Sequence, residues 1–498
     1  MPGLTNEARL RLGYGIDWLG IFFAILAIAA GTGVALAVRQ FGVTALLLIP
    51  AVGLFIISIV YPELGVITLI IVTYTQLSNV LIKFHNLPSI SQPLAALLLV
   101  VILIRVAALG DRAQGWISAA LRFAGYGFVL ILSVLAAKAF QPAYVEFQDY
   151  VKDILVAMII VTLVQNPRRF KHAVWAIIFA GILIGSVSVY QHLTSTYAND
   201  YFGLGGWVTE TTGQTSAQRV TGPFSNPNAF SQVLVVVVIL ALDRLWHERN
   251  LLLRLAAGWG LVICSLAILY SYSRGGLLAL IFALAVLIIE RRPNFFPVAF
   301  TVAIGLFVLQ FLPEAYTARL ATLTELLPFG NAQISTSSYR GRLSENMASW
   351  MMFRDNPVLG VGLKNFPEQY QSYSRQLGLD PRNTARSPAS LYGEVIAEQG
   401  LVGLIVFFAF MGSVHTGLRR AKRLFLEAAM TDEANYVTAL WAGLAGYLFA
   451  AITKNSAYSN VFWMLIGLGI AALSVAVNSH RTHQKKQEMD LIQQGSRL

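Results

Sequence analysis

The chain has 498 residues, 56% of them hydrophobic and only 12% charged, with a formal net charge of +11. Soluble cores stop growing near ~250–300 residues, so this excess of apolar residues excludes an enlarged globule and indicates a membrane protein. The single cysteine, Cys264, can form no intrachain disulfide.

In chain order, Arg9 and Arg11 precede an apolar run from Trp18, at about 18–38, that is too long for a signal-peptide core and reads as an uncleaved first span. Further stretches near the ~20 residues needed to cross a bilayer lie at about 43–60, 64–82, 94–109, 123–140, 149–165, 172–190, 229–245, 250–270, 274–290, 295–312, 391–417, 436–454 and 460–478. They predict an all-α polytopic membrane protein with about 12–14 transmembrane helices, the lower figure applying if weak hairpins merge. The division is 1–190, N-terminal spans; 191–312, spans carrying arginine motifs; 313–390, a large outer loop; and 391–498, C-terminal spans and tail.

Arg105, Arg112 and Arg122, then Arg168, Arg169 and Lys171, then Arg244, Arg249 and Arg254 fall on one side. So do Arg291 and Arg292, the cluster Arg419, Arg420, Lys422 and Arg423, and the tail with Arg481, Lys485 and Lys486. The positive-inside rule makes that side cytoplasmic, with both termini inside and the segments 191–228 and 313–390 outside. The charge is then mostly topological. With no aromatic interleaving among the basic residues, nucleic acid is not a predicted partner.

Arg219 precedes VTGPFSNPNAF, and Arg274 lies in YSYSRGGLLALIF with no acidic residue close by in sequence. A cation near hydrocarbon costs roughly 2.5–3.5 kcal/mol, so it is kept either for an anion or by snorkelling to headgroups. Asn226-Pro227-Asn228, Ser273-Arg274-Gly275-Gly276 and Ser387-Pro388 read as three helix starts facing the outer compartment. Helix N-termini attract anions. With Arg219, Arg274 and Arg342, the residues Asn226 and Asn228 mark a candidate pyrophosphate site, ordinary capping being the alternative. In the outer loop, Leu343, Met347, Trp350 and Met351 keep helical spacing, as do Phe366, Tyr370, Tyr373 and Leu377, so both stripes are expected to seat the loop on the membrane domain.

The runs RVTGPFSNPNAFSQVL (219–234), SRGG (273–276), NPVLGVGLKNF (356–366) and LYGEVIAEQGLVGL (391–404), with the Arg342-to-Trp350 spacing, together resemble the O-antigen ligase superfamily, best over about 200–410. The resemblance implies a metal-independent, GT-C-type glycosyltransferase in the bacterial inner membrane with a periplasmic active site. It would move a glycan from undecaprenyl pyrophosphate to an acceptor hydroxyl, either on a lipid A core (ligase) or on a second carrier-linked glycan (Wzy-type polymerase). No cofactor is implied. Arg219 and Arg274 match the family arginines that hold the pyrophosphate. One departure stands out: Ala389 occupies the place of the family histidine assigned to activating the acceptor, and if Ser387 caps the helix, Ala389 falls in its first turn, pointing to the arginines. Glu398 matches a family glutamate and shares a helix face with Glu394. His85 and His192 are the outer histidines, and Lys152 with Asp153 reads either as a local ion pair or as part of the carrier site. A transporter is the competing class, disfavoured by the lack of internal repeats, and a non-catalytic relative is a further alternative.

Overall fold

The computed structural model describes residues 48–110, 113–212, 215–291, 337–378 and 384–495, with isolated positions between 299 and 310. The predicted spans at 18–38 and 295–312, apart from those positions, and the loop segment 313–336 lie outside the described residues. The chain forms two compact units, Met1–Val60 and Tyr61–Leu498. In the first, Leu48–Val60 is a helix, α1.

The second unit contains α2 (Pro62–Tyr74), α3 (Leu77–His85), α4 (Ser91–Leu109), α5 (Trp116–Ala136), α6 (Phe140–Leu163) and α7 (Pro167–Leu193). A β hairpin follows, β1 (Trp207–Thr212) and β2 (Thr215–Val220), then α8 (Pro227–His247), α9 (Leu251–Tyr270) and α10 (Arg274–Arg291). Within 313–390 the described helices are α11 (Ser337–Asp355) and α12 (Phe366–Leu377), and the chain continues with α13 (Leu391–Glu427), α14 (Thr431–Ala450) and α15 (Asn460–Gly495). Every predicted span within the described residues falls on a helix. Among those residues seven helices are long and apolar enough to cross a membrane, eight if the bent pair α2 and α3 counts as one. The expected span at 64–82 is therefore broken, with a 56° bend beside Gln76, which has a left-handed backbone.

The core centres on α8, apolar on all sides, with every residue from Val233 to Leu242 buried. It packs on α9, α10 and α14, while α15 packs on α6 and α13. Four of the basic residues assigned to one side of the membrane meet acids at one end of this bundle: Arg244 meets Asp243 and Asp432, Lys171 meets Asp432 and Glu433, Arg291 meets Asp243, and Lys422 meets Glu290. The starts of α8, α10, α13 and α15 gather at the opposite end, about 30 Å away along the 21 residues of α8.

The segment 191–228 carries a hairpin that pairs Trp207 with Val220 and Val208 with Arg219. One expectation about 313–390 needs correction. On α11 the stripe Leu343, Met347, Trp350 and Met351 is not the packed face: Met347 and Trp350 are exposed, whereas Ser344, Ala348 and Met352 are buried. Small residues allow α11 to approach α13 closely, and a β-carbon at Gly393 would come 3.1 Å from the Ser349 hydroxyl. The α12 stripe packs as its spacing predicts, with Phe366 and Tyr370 buried against Ala348, Met352, Val361 and Ala397, and Tyr373 partly buried beside them.

Candidate active site

The arginine motifs meet at the start of α8. Asn226 caps this helix, accepting from the N–H groups of Asn228 and Ala229, and Pro227 fills the first position, where its missing N–H costs nothing. Strand alternation turns Ala217 and Arg219 inward and Gln218 outward. Arg219 then donates from Nε to the Ser271 carbonyl (2.8 Å) and from Nη2 to Asn228 Oδ1 (3.2 Å). Ser273 donates to the same Asn228 oxygen (2.9 Å), and its own hydroxyl accepts the Gly276 N–H, capping α10. Asn228 thus joins the strand bearing Arg219 to the helix that opens with Arg274, which is half-buried.

Beside this junction lies a cavity of about 220 Å³, walled by Ala229, Gln232 and Val233 from α8, Glu146 from α6, Glu394 from α13, and Lys364, Lys454 and Tyr458 from loops. The volume is that of ~7 waters, enough for reacting groups but not for a glycan. Neither Arg219 nor Arg274 is among its wall residues. Arg342 reaches it electrostatically, since its charge helps to lower the pKa of Lys454.

The loop-borne lysine is held by a break in α13. At Gly400 the backbone turns to φ 64°, freeing hydrogen-bonding groups that the NPVLGVG turn then satisfies. Leu401 N–H donates to the Pro357 carbonyl (2.8 Å), Val361 N–H to Ala397 (2.8 Å) and Gly362 N–H to Glu398 (3.1 Å). A β-carbon at Gly360 would lie 2.5 Å from the Ala397 carbonyl, and one at Gly400 2.5 Å from that of Val358, so both positions require glycine. Irregular backbone at membrane depth survives only where protein or water satisfies it, and here the outer loop does so.

Glu398 is fully buried, and Oε2 accepts the Lys364 N–H (2.9 Å) and the Tyr458 hydroxyl (3.2 Å), so it positions two cavity residues while standing outside the wall itself. Burial pushes the Tyr458 phenol well above its ordinary pKa, which keeps it a donor. Lys364 Nζ lies 3.2 Å from Glu146 Oε2. Burial acts to lower the pKa of Lys364, but Glu146, Glu394 and Glu398 outweigh it and hold the ammonium above its usual range. For Lys454 the balance is reversed: burial prevails and the pKa is lowered, with the amine donating to Asn455 Oδ1. Glu394 is the carboxylate one turn before Glu398, and its Oε2 accepts the Ala457 N–H (3.2 Å).

Ser390, not Ser387, caps α13, accepting the Gly393 N–H (2.9 Å), and the helix begins at Leu391. Ala389 consequently sits in the bend before the cap rather than in the first turn, and does not wall the cavity. Tertiary contacts fix this start, because the Leu391 N–H donates to the carbonyls of Ala451 and Lys454. Lys152 pairs with Asp149 (2.7 Å) rather than with Asp153, and lines a different cavity. His192 bonds Tyr197 through Nδ1 (2.7 Å) and stacks on Tyr270, while His85 bonds the Phe202 carbonyl, so both histidines brace the hairpin region. Among the described residues no group of three or more His, Cys, Asp or Glu could hold a metal ion.

Sequence reasoning missed Lys364, Lys454, Glu146 and Tyr458 as wall residues. Lys364 carried a readable signal, lying inside the NPVLGVGLKNF run; Lys454 and Tyr458 carried none. The hairpin was also legible, as two six-residue runs rich in Val and Thr separated by Gly213-Gln214.

No curated protein sequence matches this chain. A chain of a solved structure described as "Structural coordination of polymerization and crosslinking by a peptidoglycan synthase complex" is 14% identical, with a TM-score of 0.38 over 74% of this chain and 97% of that one. Residues 259–408, which include Arg274, Arg342, Lys364, Ala389, Glu394 and Glu398, match the family model described as O-Antigen ligase. That match, over 150 of the 498 residues, supports the O-antigen ligase superfamily for this multi-pass membrane protein.

Proposed function

We propose that the protein is a GT-C-type glycosyltransferase of the bacterial inner membrane, transferring a glycan from undecaprenyl pyrophosphate to an acceptor hydroxyl on the periplasmic side. The acceptor is a lipid A core sugar or a second carrier-linked glycan. The observation that carries this reading is the cavity at the start of α8, which combines Lys364 and Lys454 with a single wall carboxylate from α13, Glu394. As the sugar–oxygen bond breaks, negative charge grows on the departing pyrophosphate, and fixed cations stabilise it there. Lys364 and Lys454 are the cations closest to the reacting bond in this reading, and Arg219, Arg274 and Arg342 hold the outer phosphate. Glu394 takes the proton of the attacking hydroxyl, the part that the family histidine would play at Ala389. Glu398 is a positioning residue, acting through Lys364 and Tyr458.

The test is transfer by the purified protein in nanodiscs, supplied with a carrier-linked glycan and either acceptor. Lys364→Met is expected to lower turnover by roughly 10²–10³-fold, as for removal of one preorganised electrostatic donor, with melting behaviour retained. A fully active Lys364→Met protein would sink the reading.

A further inference from the structure

A second cavity, of about 560 Å³, lies behind the first and shares Tyr458 and Ser459 with it. It opens where α2 and α3 break, between α4 and α6, and the polar groups on its wall include Gln76, Asn79, Gln92, Asp149, Asp153 and Asn460, with Lys152 beside them. Asp149 and Asp153 stand roughly 13 and 20 Å along α6 from Phe140, one to two turns further along the helix than Glu146 of the first cavity.

Part of this wall is organised in advance. Gln76 Nε2 donates to Asn460 Oδ1 (2.9 Å) and to the Thr73 carbonyl (2.9 Å), while its Oε1 accepts from Asn79 (2.8 Å). The carboxamides therefore have fixed orientations, and the helix break that creates them places the left-handed Gln76 backbone at the cavity. Lys152 offsets one carboxylate by pairing with Asp149, and no protein hydrogen bond occupies Asp153 among the described residues. Ala95, Ala96, Leu99 and Val156 line the same cavity, interleaved along α4 and α6 with the polar groups. Carboxyl groups and oriented amides interleaved with small aliphatic groups match a ring that has hydroxyls at its edge and C–H groups on its face.

We infer that this second cavity is the acceptor subsite, binding the hydroxyl-bearing sugar ring that receives the glycan, with Tyr458 and Ser459 forming the boundary across which it faces the first cavity. The inference rests on the glycan-transfer reading, and its test separates the two. Full-length protein in nanodiscs would be titrated with undecaprenyl pyrophosphate and, separately, examined by saturation-transfer NMR with glucose, galactose and glucosamine. Asp153→Asn keeps the shape and replaces the carboxyl with an amide, and Ala96→Trp fills the cavity. Both are expected to weaken sugar binding about tenfold or more, the scale of a buried hydrogen-bonding group left unsatisfied, and to leave carrier affinity within twofold. Lys364→Met should do the reverse. Failure of wild type to bind any of the sugars, sugar binding that survives Ala96→Trp, or a parallel loss of carrier affinity would overturn the subsite. Sugar binding with no carrier binding at all would sink the transfer reading and leave the carbohydrate subsite standing.

Discussion

The two ends of α8 hold charge in opposite ways. At the C-terminal end Arg244 is 1% exposed and bonded to Asp243 and Asp432, with its guanidinium 3.5 Å from the centre of the Tyr436 ring. Arg291 and Lys171 share the same carboxylates. Each of these cations is closed off by acid, which is how a buried charge survives in a static structure. At the N-terminal end Lys454 bonds an amide oxygen, and Lys364 has one carboxylate and faces a cavity. A matched cluster fastens α7, α8, α10 and α14 together; at the cavity Lys454, which bonds an amide oxygen, retains a field that an anion can use. A count of basic residues does not separate the two kinds of end, but the identity of their partners does.

The strongest challenge to the comparison removes the proposed base. Glu394→Gln keeps volume and can still accept the Ala457 N–H, so it should leave the fold intact while lowering transfer by roughly 10²–10⁴-fold, the usual worth of general base catalysis. Turnover measured against thermal unfolding in the same preparation checks this. Loss of fold without loss of turnover per folded molecule would reassign Glu394 to structure.

The reciprocal change belongs at the other end. Asp243→Leu leaves Arg244 and Arg291 short of a buried partner and is expected to destabilise the protein by about 3–5 kcal/mol, read as a lower unfolding midpoint in detergent. Activity per folded molecule should hold. A drop in specific activity without a stability change would break the distinction between the ends.

A finer test uses Lys454. Its folded pKa lies below the ordinary lysine value because burial disfavours the ammonium. Below that folded pKa the penalty on stability is fully present. As pH rises from it towards the ordinary value, the unfolded chain binds more protons than the folded one, so the penalty is relieved. A bound pyrophosphate favours the ammonium, so in that same alkaline window carrier binding should take up a proton and weaken as pH rises. Calorimetry in two buffers of different ionisation enthalpy would detect the uptake, and Lys454→Met should abolish it. Equal proton uptake in both proteins would remove Lys454 from the anion site.

What the sequence made legible follows the range of each interaction. Asn226 and Ser273 were readable as caps because a cap and its helix adjoin. The α12 stripe was readable because four aromatic and aliphatic residues mark one face. On α11 the packed face is made of Ser344 and Ala348, and a search for large apolar residues selected the wrong side. The Lys364 to Glu398 bond spans 34 residues, and the Gln76 to Asn460 bond 384. No local pattern announces such contacts. They depend on the breaks at Gly400 and Gln76, which a hydropathy count reads straight through.

The smallest effect is expected at Ala389, where the family comparison alone would suggest the largest. If a missing histidine limited the chemistry, Ala389→His would raise transfer steeply. The bend before Ser390 argues otherwise: a side chain there stands ahead of the cap, outside the walls of the cavity, while Glu394 already occupies the first turn. Ala389→His should therefore change turnover by less than about threefold in the wild-type background, within ~0.7 kcal/mol of the barrier. The informative background is Glu394→Gln. A histidine that restores transfer there, with a new dependence on pH near the imidazole range, would show that position 389 reaches the acceptor and that the two groups are alternative bases for one reaction. A histidine that restores nothing leaves Glu394 as the base and makes the departure at 389 a relocation of the proton acceptor from the loop onto α13.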